Sequence, residues 1–450
     1  MKKATQFSIS SYHIDYISNK IDFKYENFLE DGEILSFVDT ITFPFQLIED
    51  EMQRVDVKAA LVAIHMIIGT SYFKMYAAQK ITHPYQLTTD QAAFWNTMYI
   101  QGMGEFYYTN NIDFRDCTYF TPAENTSNVT PQSAFSSEKA LILHGGGKDS
   151  LVSVELTKTA KIEYDLFCLN KSSIQEIAAK AVGKELLYVD RKLDDGMLSK
   201  TRSGEVLNGH TPIVTVYACV AVLYALLGKY SFVVASHEAS ANYGNIDYLG
   251  MTVNHQWDKS LEAELLIQQY ISQNITCDVT YFSLLRPYHE LKIVQIFSHY
   301  PQYFTKFSSS NHNFTQEEGK SSRWDLTYSK GKVEFVFALF SAWVSKDSML
   351  QIFEDNYFDH AELLQKYKEL LGIVGVKPLD CVGTPEETSL ALLMASERGE
   401  YKDTPIMKYF ESEVLPKLNR DQLNRAVLSY GDDSHIPKLF TQFPKILSTT

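Results

Sequence analysis

The chain has 450 residues, 45% hydrophobic and 13% aromatic, which excludes a disordered polypeptide and leaves room for two or three domains. A net charge of −14, with no visible cluster of Lys and Arg, excludes broad contact with a nucleic-acid backbone, although a few local cations and N–H groups can still hold a small anion. The five cysteines, Cys117, Cys168, Cys219, Cys277 and Cys381, are far apart and form no Cys-x-x-Cys pair, which argues against a disulfide framework or a local zinc site and predicts reduced thiols.

The opening Met-Lys-Lys-Ala-Thr-Gln leads into alternating residues rather than an apolar run of signal-peptide length. The best later run, residues 59–68, contains His65 and is too short to span a bilayer. A cytoplasmic protein without a membrane partner is expected.

Residues 6–48 alternate in the manner of strands, broken by polar stretches such as Glu30-Asp-Gly-Glu33, and predict a small antiparallel sheet. A helical pattern follows over 55–79 with Gly69 in its middle. Thr88 or Thr89 caps a second helix through Phe94, Trp95, Met98 and Tyr99. Two helices on a sheet give an N-terminal α+β domain over 1–120. Residues 121–138, rich in Pro, Asn, Ser and Thr, read as a linker.

The most informative stretch comes next, Ala140-Leu-Ile-Leu-His-Gly-Gly-Gly-Lys-Asp-Ser150. It reads as a short apolar strand, three glycines and a helix start. Glycines let backbone N–H groups approach an anion, the helix N-terminus favours it, and Lys148 and Ser150 can donate to it. The spacing is that of neither a Walker A loop nor the dinucleotide fingerprint. Strands at 164–169, 186–190 and 231–236 alternate with helices at 172–182 and 213–227, the latter with Thr211 as N-cap and Pro212 at N1. This alternation predicts an α/β fold with a doubly wound parallel sheet over 139–257, whose ligands lie beyond the carboxyl ends of the strands. From 258 to 450 the pattern is mostly helical, at 261–271, 291–299, 333–344, 349–355, 362–371, 386–396 and 405–415.

Several residues at strand ends carry candidate chemistry. Ser236-His-Glu-Ala-Ser-Ala-Asn-Tyr-Gly-Asn245 offers His237 and Glu238, the second a carboxylate for a metal. Val253-Asn-His-Gln-Trp-Asp-Lys-Ser260 offers His255 and Lys259. His210, just before a helix start, is suited to stay neutral and act as acid or base. Arg286, after a strand-like run, suits a phosphate or carboxylate. Cys381, in Lys377-Pro-Leu-Asp-Cys-Val-Gly383, is either a thiol acid/base or a buried inert cysteine. Gly69-Thr-Ser-Tyr-Phe-Lys74 has either a binding or a packing reason for its glycine.

The run Gly145 to Ser150 resembles the PP-loop of the N-type ATP pyrophosphatases, Ser-Gly-Gly-x-Asp-Ser, with Gly145 standing where that family has serine. With Gly69 to Lys74, Gly102-Met-Gly-Glu-Phe, Leu207-Asn-Gly-His-Thr-Pro212, Val253-Asn-His-Gln, Tyr281-Phe-Ser-Leu-Leu-Arg-Pro287, Pro301-Gln-Tyr303 and Lys377 to Gly383, it resembles one bacterial family over about residues 60–390. That family is MurL, the ATP-dependent UDP-N-acetylmuramoyl-L-alanyl-L-glutamate epimerases. The resemblance implies inversion of the terminal glutamate of a UDP-MurNAc-dipeptide through an adenylated carboxylate, with ATP and Mg2+ required. It implies that Gly145, Gly146, Gly147, Lys148, Asp149, Ser150 and Asn208 hold the nucleotide and that Asp149 and Glu238 hold the metal. Ser71, Tyr72, Lys74, Lys259 and Arg286 are then substrate contacts, and Lys148, Asp149, His210, His237, His255 and Cys381 are candidates for the chemistry. Where many relatives have a Cys-Pro-Lys-Cys core, this chain reads Trp324-Asp-Leu-Thr-Tyr-Ser-Lys-Gly-Lys-Val333, so a metal or thiol role there is not expected. Two other readings stand beside this one: a PP-loop enzyme acting on a nucleobase, tRNA or another carboxylate, and a non-catalytic nucleotide-binding protein.

Overall fold

A computed structural model describes residues 2–117, 119–124, 131, 133–310, 323, 324, 326 and 329–441. Part of the expected linker, residues 125–130 and 132, and Asp325, Thr327 and Tyr328 of the segment that replaces the cysteine-rich core lie outside the described residues.

The strands are β1 (Ala4–Asp15), β2 (Lys20–Leu29), β3 (Ile34–Thr42), β4 (Lys80–Thr82), β5 (Ala140–Leu143), β6 (Tyr164–Leu169), β7 (Leu186–Lys192), β8 (Phe232–Ala235), β9 (Ile246–Tyr248), β10 (Met251–Val253) and β11 (Thr280–Ser283). The helices that position the site are α1 (Val55–Phe73), α2 (Thr89–Ile100), α3 (Gly104–Thr109), α4 (Lys148–Thr159), α5 (Ser173–Val182), α6 (Ile213–Gly228), α7 (Leu261–Asn274), α8 (Glu290–Ser298), α9 (Lys332–Ser341) and α10 (Pro385–Arg398).

Nine strands form one sheet in the order β11-β8-β5-β6-β7-β3-β2-β1-β4. The first five are parallel to one another, and β5 lies between β6 and β8. This is a doubly wound α/β arrangement. The chain reverses its direction of winding between β5 and β8, and a ligand crevice opens at such a point beyond the carboxyl ends. The glycine run leaves β5, and His237 and Glu238 leave β8.

The N-terminal strands are less separate than their composition implies. β3 pairs antiparallel with β7 through Thr40–Lys192, Ile41–Arg191 and Thr42–Asp190, so the antiparallel strands continue the parallel sheet. One hydrophobic core runs from Phe7 and Phe23 through α1 and α6 to Tyr281, and a second, on the other face, gathers α4, α8, α9 and α10. The first core includes residues on both sides of 120 and of 257, the second runs across 257, and β11 adds a strand to the sheet within the region read as mostly helical.

Two local expectations are refined. The α1 helix is 19 residues, long and apolar enough to cross a membrane by composition, yet most of it is buried in the core against β1, β2 and α6. Its Gly69 has a packing reason: a Cβ there would lie 2.5 Å from Tyr99 Oη and 3.3 Å from Ile9. Helix α6 is not capped by Thr211. Pro212 occupies the N-cap and lacks a capping side chain, so the first turn is satisfied from a distant loop, where Asp258 accepts from Val214 N at 2.8 Å.

Candidate active site

The glycine turn is built for close backbone approach. Gly146 has φ +72°, and a Cβ there would lie 3.1 Å from the backbone N and Cα of Gln175, at the start of α5. A Cβ on Gly147 would lie 3.3 Å from Ser308 O, whereas one on Gly145 meets nothing within 4 Å. The site therefore requires glycine at position 146 and leaves room for a serine at 145. Ser150 Oγ donates to Gly147 O at 3.1 Å, and the buried Ser309 Oγ, next to Gly147, has no hydrogen-bond partner among the described residues. A buried hydroxyl left without a partner beside free helix N–H groups fits an anionic ligand.

Lys148, which follows the glycines, is engaged by two carboxylates. Its ammonium is fully buried, 2.6 Å from Asp149 and 2.7 Å from Glu290, and Glu290 is also held by Lys332 at 3.0 Å. Glu238 is buried nearby. Burial and then the charges of Glu290 and Asp149 push its pKa up. Carboxylates crowded in this way favour a cation, so Asp149 and Glu238 fit a magnesium ion by charge.

A second cluster occupies the other end of the cleft. Cys381 Sγ accepts from Lys259 Nζ at 3.1 Å and lies within 4.8 Å of a ring nitrogen of His255, whose Nδ1 is held by Glu105 from α3. The His210 ring lies 4.8 Å from that of His255. Burial raises the Cys381 pKa, but the Lys259 charge and the His255 hydrogen bond outweigh it and bring the thiol down to about 7. For His255, burial opposes the charge, yet Cys381 and Glu105 lift it to about 10. Burial, then the charge of His255, lowers His210 to about 3, so it is a neutral imidazole. The set is a thiolate flanked by two cations and a neutral base, able to attack carbon or move protons.

The two ends are joined. Asp380 accepts from Cys381 N at 2.8 Å and from Lys332 N at 3.2 Å, and the Lys332 ammonium reaches Glu290, which holds Lys148 at the start of α4. The backbone of the Cys381 loop is thus tied through Asp380, Lys332 and Glu290 to Lys148 at the start of α4.

Residues 1–284 match the family model of the MurL N-terminal domain, and residues 306–425 match that of the MurL C-terminal domain. The chain belongs to the MurL family. It is 32% identical over 381 residues to a protein of Xanthomonas oryzae pv. oryzae, covering 84% of each chain, and 29% identical over 440 residues to one of a Micromonospora species, covering 97% of each. Both are named UDP-N-acetyl-alpha-D-muramoyl-L-alanyl-L-glutamate epimerase, as is a Salinispora tropica protein 29% identical over 440 residues.

Within this MurL chain the residues singled out from sequence separate into groups. His210, His255, Lys259 and Cys381 come together, and Gly145 to Ser150 form one turn with Glu238 beside it. Lys74 and Asn208 pair, Lys74 Nζ donating to Asn208 Oδ1 at 2.8 Å, so the Asn208 side chain is engaged by Lys74. Burial and then Arg191 bring Lys74 down to about 8. Other residues are committed elsewhere. Arg286 bonds Glu264 and the carbonyls of Glu238 and Lys259, which occupies the fork reserved for substrate and makes it a brace for two site loops. Tyr72 is in the core with its hydroxyl on Asp39, and Ser71 accepts from Arg191. His237 is brought down to about 3, by burial and then by Arg286, and its Nδ1 has no partner among the described residues. Lys148 is an internal ion-pair partner rather than a donor to the anion.

Sequence reasoning missed Glu105, Glu290, Lys332 and Asp380. Glu105 left a signal as the one acid in the aromatic helix α3 within Gly102-Met-Gly-Glu-Phe, and Asp380 as the acid beside Cys381 in Lys377-Pro-Leu-Asp-Cys-Val-Gly383, whereas Glu290 and Lys332 left none.

Proposed function

We propose that this chain inverts the terminal L-glutamate of UDP-N-acetylmuramoyl-L-alanyl-L-glutamate in peptidoglycan precursor synthesis, a reaction in the cytoplasm that consumes ATP. The names of its relatives support the substrate. The observation that supports the chemistry is the tie of the Cys381 loop, through Asp380, Lys332 and Glu290, to the helix that begins at the glycine turn.

The α-proton next to a carboxylate is hard to remove, because the resulting dianion has nowhere to place its second charge. Joining that carboxylate to AMP removes the first charge, and nearby cations can stabilise the enolate that forms. In this reading the N–H groups of residues 145–148 and Ser309 hold phosphate oxygens, as in the PP-loop pyrophosphatases. Asp149 and Glu238 would hold magnesium, which when bound neutralises the pyrophosphate that departs. Lys259 and Lys74 face the anionic substrate, and the His255, His210, Lys259 and Cys381 cluster handles the proton.

The test is pyrophosphate release with ATP, magnesium and the UDP-MurNAc-dipeptide, alongside deuterium wash-in at the glutamate α-carbon. Both are expected, in strict dependence on ATP. Pyrophosphate without α-exchange would sink the epimerase reading, and exchange without ATP would sink the activation.

A further inference from the structure

We infer that Cys381, His255 and Glu105 form a nucleophilic triad that takes the activated acyl group onto sulfur, so that inversion occurs on a thioester of Cys381. A nucleophile bonded to a base, which is in turn fixed by a third group, is the arrangement that activates serine and cysteine nucleophiles on unrelated folds. Here the thiol lies within 4.8 Å of a ring nitrogen of His255, and His255 Nδ1 is held by Glu105, which comes from a helix far away in the chain.

The thiol is also held in place and within reach. Cys381 is half-buried. Its loop is tied by Asn245 Nδ2 to Lys377 O and Pro378 O at 3.2 and 2.9 Å, and by Gln256 Nε2 to Val382 O at 3.1 Å. Gly383 is packed so closely that a Cβ would lie 2.7 Å from the Phe335 ring. A fixed loop keeps a nucleophile in attack geometry.

The step rests on the ATP-dependent activation proposed above. The thiolate attacks the carbonyl carbon of the acyl adenylate; the C–S bond forms, the C–O bond to AMP breaks, and the electron pair leaves on the AMP phosphate. Sulfur donates poorly to the carbonyl, so the α-proton of the thioester is more acidic than that of a carboxylate or oxygen ester. The same step removes the thiolate, the largest of the charges that favour the Lys259 ammonium against burial, and leaves those of Glu238 and Asp258. The enclosed ammonium then releases its proton to water and becomes a base 3.1 Å from the sulfur that carries the substrate. The His255 imidazolium then gives its proton to the opposite face of the enolate; left neutral, it draws a proton from water as hydroxide adds to the thioester, the C–S bond breaks to restore the thiolate, and the carboxylic acid releases its proton to water.

The experiment mixes the full chain with ATP, magnesium and the UDP-MurNAc-dipeptide, quenches in acid within the first turnover and measures intact mass. The expected result is an adduct of substrate mass less water, mapped to Cys381 and removed by neutral hydroxylamine. Cys381→Ala is expected to lose the adduct and to lower α-exchange by about 100-fold or more, with an unchanged melting temperature as the folding control. Pyrophosphate release and α-exchange with no adduct overturn the thioester and leave the activation standing. No pyrophosphate overturns both. Cys381→Ala exchanging the α-proton within a few-fold of the parent chain also overturns the thioester. A Cys381→Ala chain that melts lower transfers the decision to Glu105→Gln, which must lower the rate of adduct formation more than that of pyrophosphate release; equal losses overturn the triad.

Discussion

Lys259 Nζ and Cys381 Sγ, 122 positions apart in the chain, meet at 3.1 Å. This pairing and the His255 hydrogen bond outweigh burial and hold the thiol near 7, below its ordinary 9. Peptide-resolved alkylation with iodoacetamide is expected to modify Cys381 with an apparent pKa near 7, fading as pH falls below it. Lys259→Met removes the neighbouring charge and is expected to move that midpoint upward by at least a unit. An unmoved midpoint would show that lysine does not set the thiolate.

Lys148 and Glu290 give a prediction about stability rather than chemistry. Both are essentially fully buried, and Lys332 supplies the second cation on Glu290. Removing one partner of a buried pair strands the other, so Lys148→Met is expected to lower unfolding free energy by about 3 kcal/mol in urea titration. Adding Glu290→Gln is expected to recover part of that loss. Additive losses in the double variant would contradict the coupling.

The glycine turn predicts a contrast between neighbours. Gly145→Ser meets no heavy atom within 4 Å and is expected to leave stability within about 0.5 kcal/mol of the parent chain. Gly146→Ala must adopt φ +72° and push against the Gln175 backbone at 3.1 Å. It is expected to destabilise by about 1–2 kcal/mol or more and to abolish pyrophosphate release. Equal behaviour of the two in thermal melts and pyrophosphate assays would remove the cradle geometry.

His65, buried in α1, sets an acid limit. Its Nδ1 lies 2.5 Å from Tyr85 Oη and its Nε2 3.2 Å from Lys24 O, and burial lowers its pKa from 6.5 to about 4. In the unfolded chain the imidazole takes up its proton near pH 6.5, whereas the folded chain resists until about 4. Its contribution is therefore complete above 6.5 and is lost as pH falls through that window, by about 3 kcal/mol in total. Denaturation midpoints from pH 7.5 to 4 should show the slope, and His65→Gln should flatten it.

The sheet, the glycine turn and the main helices were legible because each is a local pattern. Alternation marks β1 to β3, and apolar runs mark β5 to β8. The site was legible only in part, because its partnerships cross the whole chain. His255 and Cys381 could be singled out, but nothing local to either says that Glu105 orients the first or that Lys259 charges against the second. Lys148 and Arg286 misled for the opposite reason. A cation beside glycines or at a strand end reads as a ligand donor until the buried acid that holds it, Glu290 or Glu264, is known.

The three-pair seam between β3 and β7 bears on how the chain matures as it is synthesised. Residues 34–42 leave the ribosome about 150 positions before residues 190–192, roughly ten to thirty seconds of bacterial elongation. For that interval β3 presents an open sheet edge with no strand to close it. A chain cut short between the two would keep that edge, so the N-terminal strands are obligate companions of the parallel sheet and a hazard for aggregation without it.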